Sequence, residues 1–176
     1  MFTGGEDVDP SLYGCRRHSS TYSNIHRDLE EKEIFEKVRP DQLCLGICRG
    51  SQFLCVMNGG LLIQNVSGHA GFGTHPMINA RDDGERYEIT STHHQMQYPF
   101  NLTRGVDYEV LYYSQRRSHY YEGDNIEYPS CEPEIVLYTV KGKPKCLAIQ
   151  GHPEMMTNPE SPTIPMLNKL VDKYVK

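Results

Sequence analysis

The sequence predicts an α/β fold, and three observations carry that prediction. A short apolar run, LCLGI at 43–47, passes directly into a stretch with helically spaced apolar residues at 49–58, and a strand feeding straight into a helix marks this class. Further strand-like runs follow, LLIQNV, RYEIT, YEVLYYS, EIVLYTV and KCLAIQ, each bounded by Gly, Pro, Asn or Asp. The chain closes on PTIPMLNKLVDKYVK, where Met166 or Leu167, Leu170 and Tyr174 recur at helical spacing.

The elements can be justified in order. GGEDVDPSLYG, near the start, is rich in turn formers and acidic residues and reads as a loop. Residues 27–39 read as a short helix, with Ile34, Phe35 and Val38 forming an apolar patch, a solvated charged face, and Pro40 as the stop. LCLGI is a buried strand, and the helix after it places Phe53, Leu54 and Met57 on one side before Gly59-Gly60 ends it. The remaining strand-like runs suggest extra β-hairpins in the middle of the chain. With 176 residues and neither repeats nor low-complexity tracts, a single domain spanning 1–176 is expected.

Composition excludes several classes of function. Hydrophobic residues at 38%, charged residues at 23%, and 12 Tyr against 5 Phe and no Trp describe a globular chain. A net charge of -5 with scattered basic residues gives no phosphate-seeking stripe, so nucleic acid is not an expected partner. No apolar run is long enough to span a bilayer, and MFTGGEDVDP lacks the basic and apolar regions of a signal peptide. A cytoplasmic location follows as the expectation, with the six cysteines as thiols. Cys44, Cys48 and Cys55 do not match zinc-ligand spacing, and Cys44, Cys55 and Cys146 sit in apolar runs as small buried hydrophobes.

Cys48 is different, because Gly46-Ile47-Cys48-Arg49-Gly50 has the form G-x-C-x-G, the thiol counterpart of a nucleophile elbow. A nucleophile at a sharp strand-to-helix turn has strained dihedrals, and glycines two before and two after prevent collisions there. The helix that follows directs its free N–H groups at the sulfur, which is expected to lower the thiol pKa and to supply donors to an oxyanion. A thiol nucleophile needs an imidazole, and the imidazole needs a carboxylate to orient it. His152 and Glu154, in IQGHPE after a strand-like run, offer both, with Pro153 stiffening the turn between them.

LGICRGSQ together with IQGHPE resembles the class I glutamine amidotransferase superfamily. TGGEDVDPSLYG, Arg27-Asp28 and STHHQ at 91–95 narrow the resemblance to the γ-glutamyl hydrolase branch, peptidase C26, similar to γ-glutamyl-γ-aminobutyrate hydrolases. The resemblance runs from Phe2 to about Met155. It implies a flavodoxin-like domain, Cys48 as nucleophile, His152 as general base and acid, and Glu154 as the residue orienting it. It further implies an oxyanion hole from the amides of Gly5 and Arg49, and a γ-glutamyl pocket lined by Gln52, His93, His94 and Gln95. That chemistry requires no metal and no organic cofactor. The pocket must meet an α-ammonium and an α-carboxylate, for which Glu6, Asp7 and Asp9 are candidate acceptors and alternatively turn caps. The other histidines, His18, His26, His69, His75 and His119, read as surface or structural, although GHAGFGTH falls where such proteins carry a substrate-facing loop.

The chain departs from the pattern in three places. Relatives begin with a strand, a helix and a second strand before the Gly-Gly loop, whereas this chain starts two residues before it. The first strand-helix-strand is therefore expected to be absent, with a homo-oligomer or partner covering the edge. Gly151 stands where a tryptophan is usual and is expected to loosen the wall of the site. The tyrosine-bearing segment 116–134 is longer than usual and is expected to pack on the core as a polar loop. The leading reading is hydrolysis of a γ-glutamyl amide through a thioester on Cys48. The alternatives are a glutaminase subunit supplying ammonia to a separate synthetase, and a catalytically idle binding module of the same fold.

Overall fold

The computed structural model describes residues 1–71, 73–102 and 105–175. Phe72 of the GHAGFGTH loop and Lys176 at the end of the expected C-terminal helix lie outside them. Among the described residues there are three α-helices and ten strands. The helices are α1 (Ile25–Glu36), α2 (Arg49–Met57) and α3 (Thr163–Tyr174). The strands are β1 (Leu43–Ile47), β2 (Leu61–Ile63), β3 (Asn65–Val66), β4 (Thr74–Asn79), β5 (Asp82–Thr90), β6 (Met96–Tyr98), β7 (Val106–Ser114), β8 (Tyr121–Glu122), β9 (Glu132–Val140) and β10 (Lys145–Ile149).

Six strands form the central sheet in the order β1-β10-β9-β7-β4-β5. Only β1 and β10 run parallel, with Leu45 opposite Leu147 and Ile47 opposite Ile149, while the other pairs are antiparallel. On the outer side of β1, Phe2 forms a parallel bridge to Gly46, its N–H donating to Leu45 O at 2.8 Å. Alternation along the strands divides the core into two layers. Val136, Tyr138, Cys146 and Ala148 face α1 and α2 with Phe2, Phe35, Phe53 and Leu54. Ile135, Leu137, Leu147 and Ile149 face the opposite side, where Met166 and Leu167 of α3 cover them. This is the predicted α/β architecture, with helices on both faces of a mixed sheet.

The element boundaries differ from expectation for local reasons. α1 begins two residues early because Asn24 caps it, its side chain accepting from Arg27 N–H, and it ends at Glu36, before Pro40 is reached. LLIQNV splits at Gln64, whose Oε1 accepts from His18 N–H at 3.0 Å and whose Nε2 donates to Arg16 O at 2.9 Å. β4 and β6 were not legible as strands. β4 carries His75 and Pro76, and β6 is three residues long. The segment 116–134 is not wholly a loop on the core: Tyr121–Glu122 pairs with β3 as β8, its last residues open β9, and Tyr120 and Tyr128 are exposed, Tyr128 meeting Tyr121 edge to face at 4.8 Å under the Arg116 guanidinium.

Candidate active site

β1 delivers Cys48 to the end of the sheet, where the chain turns into α2 with Cys48 at φ 51° and ψ -111°. Those dihedrals are strained for a side chain with a Cβ, and the flanking glycines explain how the turn is held. A Cβ on Gly46 would collide with the Gly50 backbone, and one on Gly50 would collide with the Phe2 carbonyl. The predicted elbow is therefore present, with Phe2 packed against its helix.

β10 runs parallel to β1 and delivers His152 beside Cys48. Thr90, at the end of β5, clamps the histidine backbone: its Oγ1 accepts from His152 N–H at 3.1 Å and donates to His152 O. Pro153–Met155 then forms a single 3-10 turn, and His152 Nδ1 lies 2.6 Å from Glu154 Oε1. Because a carboxylate only accepts, Nδ1 is the donor, and in the neutral imidazole the lone pair lies on Nε2. Gly4 marks the space between this nitrogen and the cysteine. A Cβ placed on it would stand 3.8 Å from His152 Nε2 and 3.9 Å from Cys48 Cβ. The Cys48 and His152 side chains thus approach the same spot, which stays unfilled because residue 4 has no side chain.

The thiol is not activated in the way the sequence suggested. Burial pushes the Cys48 pKa up to about 12, and the charges of Glu154 and Asp7 push it the same way, while the Arg49 N–H alone pulls it down. One helix N-terminus does not overcome desolvation, so Cys48 rests as a thiol. Its alkylation by iodoacetamide should therefore rise roughly tenfold per pH unit between pH 7 and 9, tracking the thiolate fraction. At neutral pH the half-buried Cys15 and Cys131 should react first. Rates for each thiol from peptide mapping check this, and a plateau at neutral pH for Cys48 would contradict it.

Both amides expected to receive an oxyanion border the cleft. Gly5 N–H makes no hydrogen bond to the described residues, and Arg49 N–H points at the Cys48 sulfur from the first turn of α2. The Arg49 side chain has a separate task that the sequence did not reveal. It is 2% exposed and pairs with Asp28 and Glu31 of α1, with Phe53 packed beneath the guanidinium. Arg27 binds the other end of the motif, donating to Glu6 Oε2 at 2.8 Å and to Gly4 O at 3.0 Å. Arg27-Asp28 therefore fastens the glycine loop and the elbow to one helix. Asp28→Asn would leave the Arg49 charge buried and underpaired, and it should cost about 3–5 kcal/mol of stability by chemical denaturation; a loss below about 1 kcal/mol would show that the pair does not brace the elbow.

The predicted binding residues gather around the same opening. A cleft of about 170 Å³ is lined by Cys48, Gln52, His93, His94 and Gln95 together with Glu6 and Asp7. Gln52 Nε2 donates to Gln95 O at 2.9 Å, tying α2 to the His93–Gln95 segment. His94 Nε2 lies 3.0 Å from Asp7 Oδ1, and that hydrogen bond raises the His94 pKa. Asp9 is a turn cap, its Oδ1 accepting from Ser11 N–H at 3.0 Å. A larger hollow of about 640 Å³, bordered by Thr90 and Met155, meets the cleft at Thr92. Gly151 does not loosen the wall: Ile89 and Thr90 fill the space its Cβ would need.

The sequence profile of the Peptidase C26 family matches residues 1–103, more than half of the chain. The chain belongs to the Peptidase C26 family. The matched part holds Cys48, Gln52 and the His93–Gln95 segment, and His152 and Glu154 lie beyond it. Among curated proteins, this Peptidase C26 chain is similar to the glutamine amidotransferase-like YvdE homolog of Lactococcus lactis subsp. cremoris, with 31% identity over 115 residues, 54% of this chain and 61% of that protein. A protein named as a glutamine amidotransferase in Mycobacterium tuberculosis shares 38% identity over 76 residues, 40% of this chain and 25% of its own length. The matched region thus spans less than two thirds of either relative. Among solved structures, a GMP synthase component from Thermoplasma acidophilum superposes with a TM-score of 0.54 at 15% identity, covering 84% of this chain and 64% of the other. That likeness concerns the fold alone.

Proposed function

We propose that this chain hydrolyses γ-glutamyl amides through a γ-glutamyl thioester on Cys48. The observation that supports the reading best is the convergence of the Cys48 side chain and His152 Nε2 on the space beside Gly4. As the γ-carbonyl carbon arrives there, His152 Nε2 takes the thiol proton while sulfur bonds to that carbon. Glu154 stabilises the imidazolium through its hydrogen bond to Nδ1. The oxygen becomes an oxyanion facing the Gly5 and Arg49 amides. Collapse expels the amine, which leaves with the proton from His152, and a water deprotonated by the same nitrogen then releases glutamate and restores the thiol.

The γ-glutamyl end would occupy the smaller cleft, where Glu6 and Asp7 offer acceptors to the α-ammonium. The amine end would lie past His152 in the larger hollow bordered by Thr90 and Met155. Because Cys48 rests as a thiol, proton removal is coupled to attack, which limits reaction with other electrophiles. The reading takes 1–176 as one catalytic domain working in the cytosol. Among the described residues, no helix is long and apolar enough to cross a membrane.

Incubating the purified chain with a panel of γ-glutamyl amides, including glutamine and γ-glutamyl p-nitroanilide, tests this directly. Glutamate release by the chain alone is expected. Release only after addition of a second protein would favour a glutaminase subunit feeding a synthetase. Binding without release would leave the idle module.

A further inference from the structure

Behind the His93–Gln95 segment, and separate from Cys48 and His152, the structure buries a second group of titratable side chains. His69, His75, His93, Glu132 and Glu134 are each no more than 4% exposed. One ligand atom from each of His69, His75 and Glu134 lies within 4.8 Å of the others. The His93 ring stacks on that of His69 with centroids 4.9 Å apart, and His69 meets His75 edge to face at 5.5 Å.

Hydrogen accounting shows what this group lacks. Glu132 accepts from Arg117 N–H, Ser118 N–H and Tyr121 Oη–H on one oxygen, and its other oxygen lies 3.0 Å from His69 Nε2. With this carboxylate accepting at every contact, His69 Nε2 is the donor, and in the neutral imidazole the lone pair is on Nδ1. That nitrogen faces Ser91 Oγ at 3.0 Å, but the same hydroxyl lies 2.9 Å from the His69 carbonyl oxygen, so one hydrogen is offered to two acceptors. His75 Nε2 donates to Glu134 Oε1 at 2.6 Å, which leaves the Nδ1 lone pair unmatched. His93 Nδ1 donates to Gln95 O at 2.7 Å, which leaves its Nε2 lone pair unmatched. Glu134 Oε2 likewise meets no donor among the described residues. The cluster therefore holds three buried lone-pair atoms without a hydrogen and a fourth that competes for one. Buried polar atoms are rarely left so.

We propose that His69, His75 and Glu134, with His93 as the fourth side chain at hand, form a closed structural site for a divalent transition-metal ion of the zinc type. Imidazole and carboxylate are the donors such an ion takes, and four-coordination with bonds of about 2.0–2.2 Å suits a closed site. A bridging water would supply two hydrogens, whereas a dication accepts the lone pairs of His69, His75 and Glu134 together. The surrounding contacts are those that orient ligands. Glu132 holds His69 by its other ring nitrogen, and the Ser114 hydroxyl lies 2.9 Å from Glu134 Oε1 and 3.1 Å from Pro76 O. Bound there, the ion would join β4, β9 and the segment bearing His93, Gln95 and the cleft wall. Its ligands are scattered from position 69 to 134, so no sequence spacing announces it.

The full chain, treated with dipicolinate, should take up one equivalent of Zn²⁺, either by titration of the folded protein or on refolding in its presence. Zn²⁺ should raise the melting temperature, and Co²⁺ as probe should give the intense visible absorption of a four-coordinate site. His75→Gln should abolish stoichiometric uptake. Should that variant fail to fold, Glu132→Gln, which leaves every ligand in place, should still weaken Zn²⁺ binding about 10–100-fold. His18→Gln, which alters the surface His18–Glu122 pair, should leave uptake unchanged. Absence of stoichiometric uptake by both loading routes overturns the site, as does uptake that survives His75→Gln and Glu132→Gln or is lost in His18→Gln.

Discussion

Cys48→Ala is expected to lower glutamate release from γ-glutamyl p-nitroanilide by about 10⁴-fold or more. Removing the nucleophile of a hydrolase leaves only what the remaining polar groups do for direct water attack, and comparable deletions elsewhere cost between about 10⁴ and 10⁶. In the proposed mechanism no other sulfur can take over. Cys44, Cys55 and Cys146 are buried, and neither Cys15 nor Cys131 lines the cleft. The fold should persist, because the methyl group that remains fits the turn and φ 51° is no harder for alanine than for cysteine. Melting curves of the two proteins should therefore agree while their rates differ. Turnover equal to that of the unmodified chain would remove Cys48 from the chemistry, and with it the thioester.

Gly4→Ala is expected to reduce kcat/KM by about 100-fold with little loss of stability, and this effect could not be anticipated from composition or motif. The added methyl would sit 3.0 Å from His152 Cε1 and within 4 Å of Cys48 Cβ. In the proposed mechanism it occupies the space the reacting carbonyl needs, and it presses on the edge of the imidazole. Keeping the carbonyl out of its attack position by about 1 Å is enough for a loss of that size. Gly4 is not among the positive-φ residues, so alanine introduces no backbone strain. The check is steady-state kinetics beside a denaturation curve. Unchanged kcat/KM would mean that substrate does not enter between these two side chains.

Much of this site was legible in the sequence because its chemistry is local. The glycines flanking Cys48 are required by contacts within the elbow itself and with Phe2, and His152 and Glu154 meet across one 3-10 turn. The helices were likewise readable from apolar spacing within a dozen residues. Less legible was the thiol's ionisation. The helix N-terminus is a local feature, whereas burial and the nearby charges of Glu154 and Asp7 come from distant segments, and their sum is larger. Gly151 misled for the same reason, since the side chain that fills its space is Ile89 of β5.

The sequence by itself determined the α/β class, the strained turn at Cys48, the pairing of His152 with Glu154, and the segments that border the cleft. Each of these follows from interactions among residues close in the chain or from a motif whose spacing the backbone imposes. Only the tertiary structure decided the mixed sheet order, the open space at Gly4, the burial of Arg49 between Asp28 and Glu31, and the histidine and glutamate cluster behind the cleft. Strand pairing, desolvation and side-chain convergence depend on which distant segments come together, and no local pattern in the chain specifies that.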